Sequence, residues 1–285
     1  MTERSAFITG AATGIGEALS LKLDQMGWRV FATYNKTPPD ELIKKASPRL
    51  TAMACNVGDP KEIVKAAEQV GKALNGGALD LLVNNAATTT GAEGPIESLN
   101  IDEFHFLMEV NFWASVRTCQ AFLPLIKKSD RGRIMNVDSG SIYMTIPLGC
   151  PYPVSKCALS AFTRHLRVEM EPFGIEVTAL EPGGVRTKMT SFTKEEEEKS
   201  WASIPERLLP EYKKYFNHPG APIDGQFEFW PPEKFAEEVY KIIIAKKWKP
   251  SYLVGAGVWP MPLMHRLMSR SRIEKIWKKV FKVKF

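Results

Sequence analysis

The chain has 285 residues, of which 44% are hydrophobic and 25% charged, an ordinary composition for a soluble globular protein. Its length allows a substantial core without disulfides, no apolar run approaches the about 20 residues that cross a bilayer, and no charged-then-apolar leader precedes Ser5. The net charge of +6 arises from residue 246 onward, where 11 Lys and Arg accompany one acid, Glu274, so the protein as a whole does not have the charge distribution of a nucleic-acid binder.

The chain begins with the first half of a dinucleotide-binding unit. An apolar strand at residues 5–9 meets the turn Gly10-Ala11-Ala12-Thr13-Gly14-Ile15-Gly16, and helical spacing of apolar residues follows. Glycines let the backbone approach a pyrophosphate, and the helix N-terminus offers free N–H groups to it. Because a strand and a helix flank the turn, we interpret it as a phosphate-binding turn, the alternative being a simple tight turn.

The second strand, at residues 28–33, ends without the acid that selects NAD. An Asp or Glu about 20 residues past the glycines would bind the ribose 2′-hydroxyl, but the chain has Thr33-Tyr34-Asn35-Lys36 there. A 2′-phosphate is therefore not repelled, and Lys36 could pair with it. The pattern favours NADP, with NAD as the alternative if Lys36 is only a solvated loop residue.

Strands and helices continue to alternate up to residue 187. Further strands are predicted at residues 50–54, 79–83, 133–137 and 175–180, and helices at 60–70, 101–122 and 152–173. Asp59 and Pro60 are typical of a helix start. Polar motifs follow the strand ends, where ligands bind in open α/β sheets. Since no linker or repeat interrupts this region, the alternation predicts a doubly wound parallel sheet in a single domain.

Tyr152 and Lys156 are four residues apart, about one helical turn, and so project from the same face. A cation beside a phenol favours the phenolate, so Lys156 is expected to lower the pKa of Tyr152 and to make it a proton donor and acceptor near neutral pH. The spacing alone is common on helix surfaces. Here Pro151 and Pro153 restrict the backbone around the phenol.

Six motifs, in the same order and at familiar separations, resemble those of the short-chain dehydrogenase/reductase family. They are Thr9-Gly10-x-x-x-Gly14-Ile15-Gly16, Asn84-Asn85-Ala86, Asn111, Ser139, Tyr152-x-x-x-Lys156 and Pro182-Gly183-x-x-x-Thr187. The match spans roughly residues 5–187 and continues weakly to about residue 255. The resemblance implies an α/β, three-layer, doubly wound Rossmann fold with a seven-stranded parallel sheet, a nicotinamide cofactor and a homo-oligomer, either dimer or tetramer.

Three residues depart from the family's pattern. Ala87 stands where the family usually has glycine, a change of one methyl group. Asn56 stands near the expected adenine, where the family commonly has Asp, so binding should survive with altered strength. Asp138 replaces a frequent serine and adds a carboxylate beside Ser139.

The resemblance also implies roles for individual residues. Tyr152 would be the general acid in carbonyl reduction and the general base in alcohol oxidation, with Lys156 lowering its pKa and binding the nicotinamide ribose. Ser139 would bind the substrate oxygen, and Asn111 would hold a water leading from Lys156 to bulk solvent. The expected cofactor-binding residues are Gly10, Thr13, Gly14, Ile15, Gly16, Tyr34, Asn35, Lys36, Asn56, Val57, Asn84, Ala86, Tyr152, Lys156, Pro182, Gly183, Val185 and Thr187.

Residues 188–230 correspond to the family's substrate-covering insertion, so we expect a mobile lid there. Its acidic run, residues 195–198, is interpreted as a solvated helix face, and the lid and the loop before Tyr152 both carry apolar side chains. Such walls favour a hydrophobic alcohol or ketone, unless they only pack the loops. The expected substrate-contacting residues are Ser139, Met144, Leu148, Cys150 and Tyr152, and the other wall residues are Ile146 and Pro147.

Residues 261–285 form a basic amphipathic tail after a domain predicted to span residues 1–260. Apolar residues from Leu263 to Phe281 lie among eight Lys and Arg. Such a segment can lie on an anionic membrane surface, or dock on its own domain or on a neighbouring subunit. The chain's length and tail resemble the retinol and hydroxysteroid dehydrogenase side of the family.

The sequence thus predicts an NADP-dependent oxidoreductase for a steroid-, retinoid-, terpenoid- or lipid-like alcohol or ketone. A reductase of small or carrier-bound ketones is an alternative that the long lid and tail disfavour. A non-catalytic cofactor-sensing scaffold is disfavoured because Asn111, Ser139, Tyr152 and Lys156 are all present. The four cysteines and four histidines lack disulfide-framework and metal-ligand spacing, so we expect reduced thiols, a cytoplasmic protein and no metal.

Overall fold

Seven parallel strands form one sheet in the computed structural model, which describes residues 3–89, 93–190, 194–217 and 228–284. The strand order is β3-β2-β1-β4-β5-β6-β7, so the winding reverses between β1 and β4, and a crevice opens at the carboxyl edge there. The predicted doubly wound, seven-stranded sheet is confirmed. The strands are β1 Ser5–Ile8, β2 Arg29–Tyr34, β3 Leu50–Ala54, β4 Leu81–Asn84, β5 Arg133–Val137, β6 Glu176–Pro182 and β7 Ser251–Val254.

Helices cover both faces of this sheet and make three layers. Successive strand residues point to opposite faces, so Ala6 and Ile8 pack in one core and Phe7 in the other. The helices are α1 Gly14–Gln25, α2 Asp40–Lys45, α3 Pro60–Ala73, α4 Ile101–Met108, α5 Ala114–Ile126, α6 Pro151–Met170, α7 Lys194–Ala202, α8 Leu209–Tyr215, α9 Pro232–Ile244, α10 Met261–Leu267 and α11 Arg270–Val280. Helices α1 and α9 pack in the first core, and α3, α5 and α6 in the second.

The single helix predicted over residues 101–122 is wrong in one respect. A π-helical turn, Glu109–Trp113, separates α4 from α5. A π turn accommodates an extra residue in the helical repeat and locally changes which side chains face inward. Asn111 lies inside this turn and is fully buried.

Helix α6 begins where the sequence predicted, with Pro151 at its first position. Proline suits that position because its missing N–H would have no helical partner. The helix tightens into a 3₁₀ turn at Glu171–Phe173 and ends at Gly174, whose φ of 71° is the left-handed conformation of a helix C-terminus.

The predicted lid is described over residues 188–190, 194–217 and 228–230; its remaining residues lie outside the described part of the chain. Helices α7 and α8 occupy it. Glu195 and Glu198 of the acidic run are exposed, and Glu195 pairs with Lys199 at 2.8 Å, as expected of a solvated helix face. The mobility of the lid stays a prediction.

The tail folds back as two helices, α10 and α11. Ile273 and Trp277 of α11 are buried, so this face of the tail packs against the same protein molecule. Among the described residues, no helix is long and apolar enough to cross a membrane.

Candidate active site

The glycine-rich turn after β1 leaves backbone space that side chains would fill. Gly10 and Gly14 adopt positive φ values of 64° and 62°. A Cβ on Gly16 would lie 2.4 Å from the carbonyl oxygen of Gly10, which no structure tolerates without movement. Helix α1 begins at Gly14, and the side chain of Thr13 makes no hydrogen bond that caps its first N–H groups. The turn therefore offers glycine backbone and free helical N–H donors to an anion.

A cleft of about 570 Å³ opens over this turn, and most of the predicted cofactor residues lie in its lining. It is lined by sixteen of the predicted residues: Gly10, Thr13, Gly14, Ile15, Gly16, Tyr34, Asn35, Asn56, Val57, Ala86, Tyr152, Lys156, Pro182, Gly183, Val185 and Thr187. Ser139, Asp138, Asn85 and Ala87 also line it. Two predicted residues, Lys36 and Asn84, are not in the lining. Lys36 is exposed beyond Asn35.

The sequence predicts Asn84 as a cofactor-binding residue, but Asn84 and the adjacent Asn85 make different contacts. The amide of Asn84 is buried within the second core and donates to Asn136 Oδ1 at 2.8 Å. The Asn85 amide instead donates to the carbonyl oxygens of Thr9 and Gly10, at 2.9 and 3.1 Å. Asn85 thus fixes the glycine turn to the end of β4, while Asn84 joins β4 to β5.

Asn56 keeps the end of β3 in place although it departs from the family's usual residue. Its Oδ1 accepts a hydrogen bond from the Gly58 N–H at 3.1 Å, and its own N–H donates to Glu62 at 2.6 Å. The side chain still lines the cleft. An asparagine can therefore shape this loop without a carboxylate.

Three predicted catalytic side chains meet where the cleft passes α6. Ser139 and Tyr152 line the same cleft, and the Ser139 hydroxyl is near enough to the phenol to lower its pKa. Lys156, one turn after Tyr152, has its Nζ 5.8 Å from the phenol ring centre and donates to the Val137 carbonyl oxygen at 2.9 Å. Ser139 comes directly after β5 with Asp138, and Lys156 is almost fully buried beneath the cleft.

The electrostatics of Tyr152 differ from the expectation that Lys156 lowers its pKa. Burial raises the pKa of Tyr152, the hydrogen bond with Ser139 lowers it, and the nearby charge of Asp138 raises it. The Lys156 ammonium donates to the Val137 carbonyl oxygen and lies 5.8 Å from the phenol ring centre, so burial is the largest influence on the pKa of Tyr152. The phenol is therefore held in its neutral, proton-carrying form.

Asp138 and Lys156 form a buried acid–base pair. Burial raises the pKa of Asp138 to about 8, against the opposing charge of Lys156, and Glu181 raises it further. Burial lowers the pKa of Lys156 to about 8, and the charge of Asp138 opposes this. Within the described part of the chain, no hydrogen bond of normal geometry reaches either carboxylate oxygen of Asp138, although Ser160 is near enough to lower its pKa. The two groups thus titrate near physiological pH and influence each other.

Asn111 acts as a clamp between three segments. Its Oδ1 accepts from the Thr88 N–H at 2.8 Å, and its Nδ2 donates to the Thr88 carbonyl and to Ser155 Oγ, at 2.9 and 3.0 Å. Ser155 Oγ donates in turn to the Tyr152 carbonyl at 2.7 Å. Both amide hydrogens of Asn111 are used by protein groups, so a water near Lys156 would have to be held by other atoms of this residue.

A second cavity, of about 380 Å³, opens beside Ser139 and Tyr152. Of the residues predicted to contact substrate, Ser139, Met144 and Tyr152 line it, as does Ile146, whereas Leu148 and Cys150 do not. Leu148 adopts a φ of 57° and its carbonyl accepts from the Gly94 N–H at 2.8 Å, so it supports the loop. Cys150 is the residue that precedes α6.

The tail supplies much of the cavity wall, which the sequence did not predict. Its described apolar lining residues are Leu107, Met144, Ile146, Pro153, Pro182, Met189, Phe229, Val258, Pro260, Met261, Met264, Ile276, Trp277 and Val280. Trp277 Nε1 donates to the Tyr143 carbonyl oxygen at 3.0 Å, and His265 Nε2 lies 2.7 Å from the same atom. Ser141 also lines the cavity, and its buried hydroxyl has no hydrogen-bond partner among the described residues. The amphipathic spacing of the tail was visible in the sequence, but not the surface that it covers.

The cysteines and potential metal ligands give no further site. All four cysteines are unpaired, with Cys55 and Cys119 buried. In the described ranges, no group of three or more His, Cys, Asp or Glu is placed to hold a metal ion. The absence of a metal stays a prediction.

A glycine-lined cleft at the switch point of a doubly wound sheet, with a proton-carrying phenol at one end, is the site of a dinucleotide-dependent oxidoreductase. Comparison with known proteins agrees, since residues 4–198 match the family model described as short chain dehydrogenase. The chain belongs to the short-chain dehydrogenase family and is an oxidoreductase acting on CH–OH groups.

Several known proteins are similar to it. An NADPH-dependent 1-acyldihydroxyacetone phosphate reductase of Schizosaccharomyces pombe is 32% identical over 90% of this chain and 85% of its own length. Retinol dehydrogenase 5 of the mouse is 35% identical over 74% of this chain, but only 66% of its own length is covered. A short-chain dehydrogenase structure from Streptomyces avermitilis, 23% identical, superposes over 100% of both chains with a TM-score of 0.75, which supports the fold.

Proposed function

We propose that the protein is an NADP-dependent oxidoreductase that transfers a hydride between a nicotinamide and a hydrophobic alcohol or ketone, of steroid-, retinoid-, terpenoid- or lipid-like chemistry. The observation that carries this proposal is the apolar cavity that opens onto the Ser139–Tyr152 hydroxyl pair. Its volume of about 380 Å³ lies in the range of small-molecule sites.

The distribution of polar groups in the cavity supports a neutral, lipophilic substrate. Among the described residues no Lys or Arg lines the cavity, and one acid, Glu93, does. Burial raises the pKa of Glu93, while its hydrogen bond with Ser200 lowers it. The other polar side chains of the described lining carry hydroxyls, those of Thr89, Ser139, Ser141, Tyr152 and Thr190, and the rest of the lining is aliphatic, aromatic or glycine. Such a wall favours an apolar body with one oxygen function.

The cleft fits a nicotinamide dinucleotide because its glycine turn is a cradle that Cβ atoms would fill. Gly10, Gly14 and Gly16 would hold the pyrophosphate, and Tyr152 and Lys156 would hold the nicotinamide ribose. The bound cofactor supplies the hydride. NADP is favoured because no acid follows β2 before Asp40, and Lys36 lies just beyond Asn35. The NADPH dependence of the Schizosaccharomyces relative supports it.

Tyr152 would give its hydroxyl proton to the substrate oxygen in reduction and take it back in oxidation. Ser139 would donate to the same oxygen as charge develops on it. Lys156 would keep a positive charge beneath the site that makes release of the phenolic proton easier. Asn111 is a positioning residue, because it acts on Tyr152 through Ser155.

A substrate panel tests the proposal. Steroid, retinoid, terpenoid and acyl-chain ketones are compared with small aliphatic ketones by NADPH oxidation. We expect kcat/KM to be at least tenfold higher for the lipophilic group, about 1.4 kcal/mol of added transition-state binding. Equal kcat/KM for small ketones would favour the alternative reductase, and no turnover of any member would contradict the proposed chemistry.

Two further parts of the proposal concern assembly and location. We infer a homo-oligomer, dimer or tetramer, in a cytoplasmic setting with peripheral membrane contact through residues 261–285. Light scattering of the purified protein at several concentrations tests the first. A monomer at all concentrations would contradict it.

A further inference from the structure

The buried side of the tail limits which of its surfaces can meet a membrane. Ile273 and Trp277 are only 4% and 7% exposed, and Trp277 is hydrogen-bonded to Tyr143. The most deeply buried side chains of α11 are therefore already covered by the protein itself. A membrane contact through this side of α11 would need Ile273 and Trp277 to become exposed.

Helix α10 and the turn before it leave other apolar side chains uncovered. Trp259, Leu263 and Leu267 are 74%, 53% and 71% exposed. Leu263 and Leu267 are four residues apart, about one turn, so they lie on one side of α10, and Trp259 lies in the turn that leads into the helix. Single exposed apolar residues are common on proteins, but three so close together along the chain form a patch. We call Trp259, Leu263 and Leu267 the outer face of α10.

Exposed basic residues lie in and directly after α10 along the chain. Arg266 and Arg270 lie beside Leu267, and both are exposed. The exposed side of α11 adds Arg272, Lys275, Lys278 and Lys279. Residues 261–285 contain eight Lys and Arg and one acid, Glu274. An apolar strip with a tryptophan at one end and cations beside it along the chain is the composition of a segment that lies in a lipid headgroup layer.

We propose that the outer face of α10 docks on an anionic lipid surface. A second copy of the chain is a poorer occupant, because a two-fold contact would bring two such basic surfaces together. An anionic bilayer complements both the charge and the apolar strip. The docking rests on the peripheral membrane contact proposed above, assigns it to one face of the tail, and needs no catalysis.

The position of α10 suggests that docking brings the substrate cavity close to the lipid surface, an inference that rests on the proposed function. Met261 and Met264 of the same helix line the substrate cavity, while Leu263 and Leu267 lie outside it. One helix therefore separates the cavity from the docking surface. A lipophilic substrate dissolved in the bilayer would reach the cavity along α10 without crossing much water.

Vesicle co-sedimentation of the full chain tests the proposal. The probes are phosphatidylcholine vesicles with and without phosphatidylserine. The variant is Leu263→Glu with Leu267→Glu, and the control with the same charge change is Ile96→Glu with Val168→Glu, two exposed sites on other elements. We expect the wild type and the control to partition onto phosphatidylserine vesicles, and the α10 variant to lose at least about tenfold in partition coefficient.

Several outcomes would overturn the proposal. These are no binding of the wild type to phosphatidylserine vesicles, equal binding to neutral vesicles in the presence and absence of salt, and equal loss in both variants. A dimer that the α10 variant dissociates in the absence of vesicles would assign the face to a second copy. If the wild type docks but reduces no panel substrate, the proposed function fails and the docking stands.

Discussion

Trp277 Nε1 donates to the carbonyl oxygen of Tyr143 at 3.0 Å, across 134 positions of the chain. The other end of Tyr143 donates to Glu181 Oε2 at 2.9 Å. Tyr143 lies in the 3₁₀ turn that follows Ser139, so this contact joins the tail to the segment that carries a catalytic candidate. The tail is thereby part of the substrate cavity, and its loss should be felt there.

Replacing Trp277 tests that connection. Trp277→Ala removes a large buried side chain, so we expect the free energy of unfolding to fall by about 3–5 kcal/mol. Trp277→Phe keeps the ring but loses the hydrogen bond; because His265 still meets the Tyr143 carbonyl, we expect a loss of about 1 kcal/mol. Urea denaturation measures both. An alanine variant as stable as the wild type would mean that the tail does not hold this position in solution.

Replacing the phenol tests the proposed proton donor. In Tyr152→Phe we expect kcat to fall by at least about 10²-fold, since general acid catalysis contributes about that much or more. The cofactor dissociation constant, measured by nucleotide fluorescence, should stay within about threefold, since the glycine turn that would hold the pyrophosphate is untouched. Tyr240→Phe, on α9 and outside both cavities, is the control. Wild-type turnover in Tyr152→Phe would contradict the mechanism.

Lys36 tests the choice of cofactor, although it does not line the cleft. Lys36→Ala should raise the KM for NADPH about tenfold, because a charged hydrogen bond to the 2′-phosphate would be lost. The KM for NADH should change little. Lys65→Ala, an exposed lysine on α3, removes the same charge elsewhere. Equal effects of Lys36→Ala on both cofactors would count against a 2′-phosphate contact.

The buried Asp138 predicts a pH dependence of stability. Its pKa rises from 3.8 to about 8 on folding because of burial, so between these pH values the folded state keeps a proton that the unfolded chain has released. The free energy of unfolding therefore falls as pH rises through this window, by at most about 1.4 kcal/mol per pH unit. The titration of Lys156 has the opposite effect. Its pKa falls from 10.5 to about 8 on folding, so between these pH values the unfolded chain keeps a proton that the folded state has released, and the free energy of unfolding rises with pH.

Asp138→Asn removes the first of these dependences while keeping the shape of the side chain. We expect urea unfolding of this variant to be flatter than that of the wild type between pH 5 and pH 8. Because the Asp138 charge raises the pKa of Lys156, the variant should also lower that pKa. Asp130→Asn, at an exposed site, is the control. Parallel pH profiles for the wild type and Asp138→Asn would show that Asp138 is ionised throughout.

Much of the fold could be predicted because its signals are local. Continuous apolar runs mark buried parallel strands, and glycine and proline mark the ends of elements, as at Gly10, Pro151 and Gly174. Strand ends in a parallel sheet share one edge. For that reason the sequence could place Tyr152, Ser139 and most of the predicted cofactor residues at one edge of the sheet before any contact was known.

The features that could not be predicted depend on the orientation of side chains and on contacts between residues that are distant in the sequence. The π turn at Asn111 adds one residue to a helical repeat, and an apolar pattern does not reveal such an insertion. Asn84 and Asn85 are chemically equal, yet strand alternation points one into the core and the other into the cleft. The sequence predicts Leu148 as a wall residue, but it does not line the cavity. Its φ is 57°, and its carbonyl accepts a hydrogen bond from Gly94 N–H within the loops.

Helix α10 is seven residues long, with Met261 and Met264 facing the cavity and Leu263 and Leu267 facing outward. Adjacent residues of one short helix thus affect two properties: which substrates fit the cavity, and whether the protein docks on a lipid surface. The two traits are coupled, because an insertion of one residue in α10 would rotate the residues after it by about 100° and so displace both faces at once. Paralogues that differ in this helix are therefore expected to differ both in substrate preference and in membrane association.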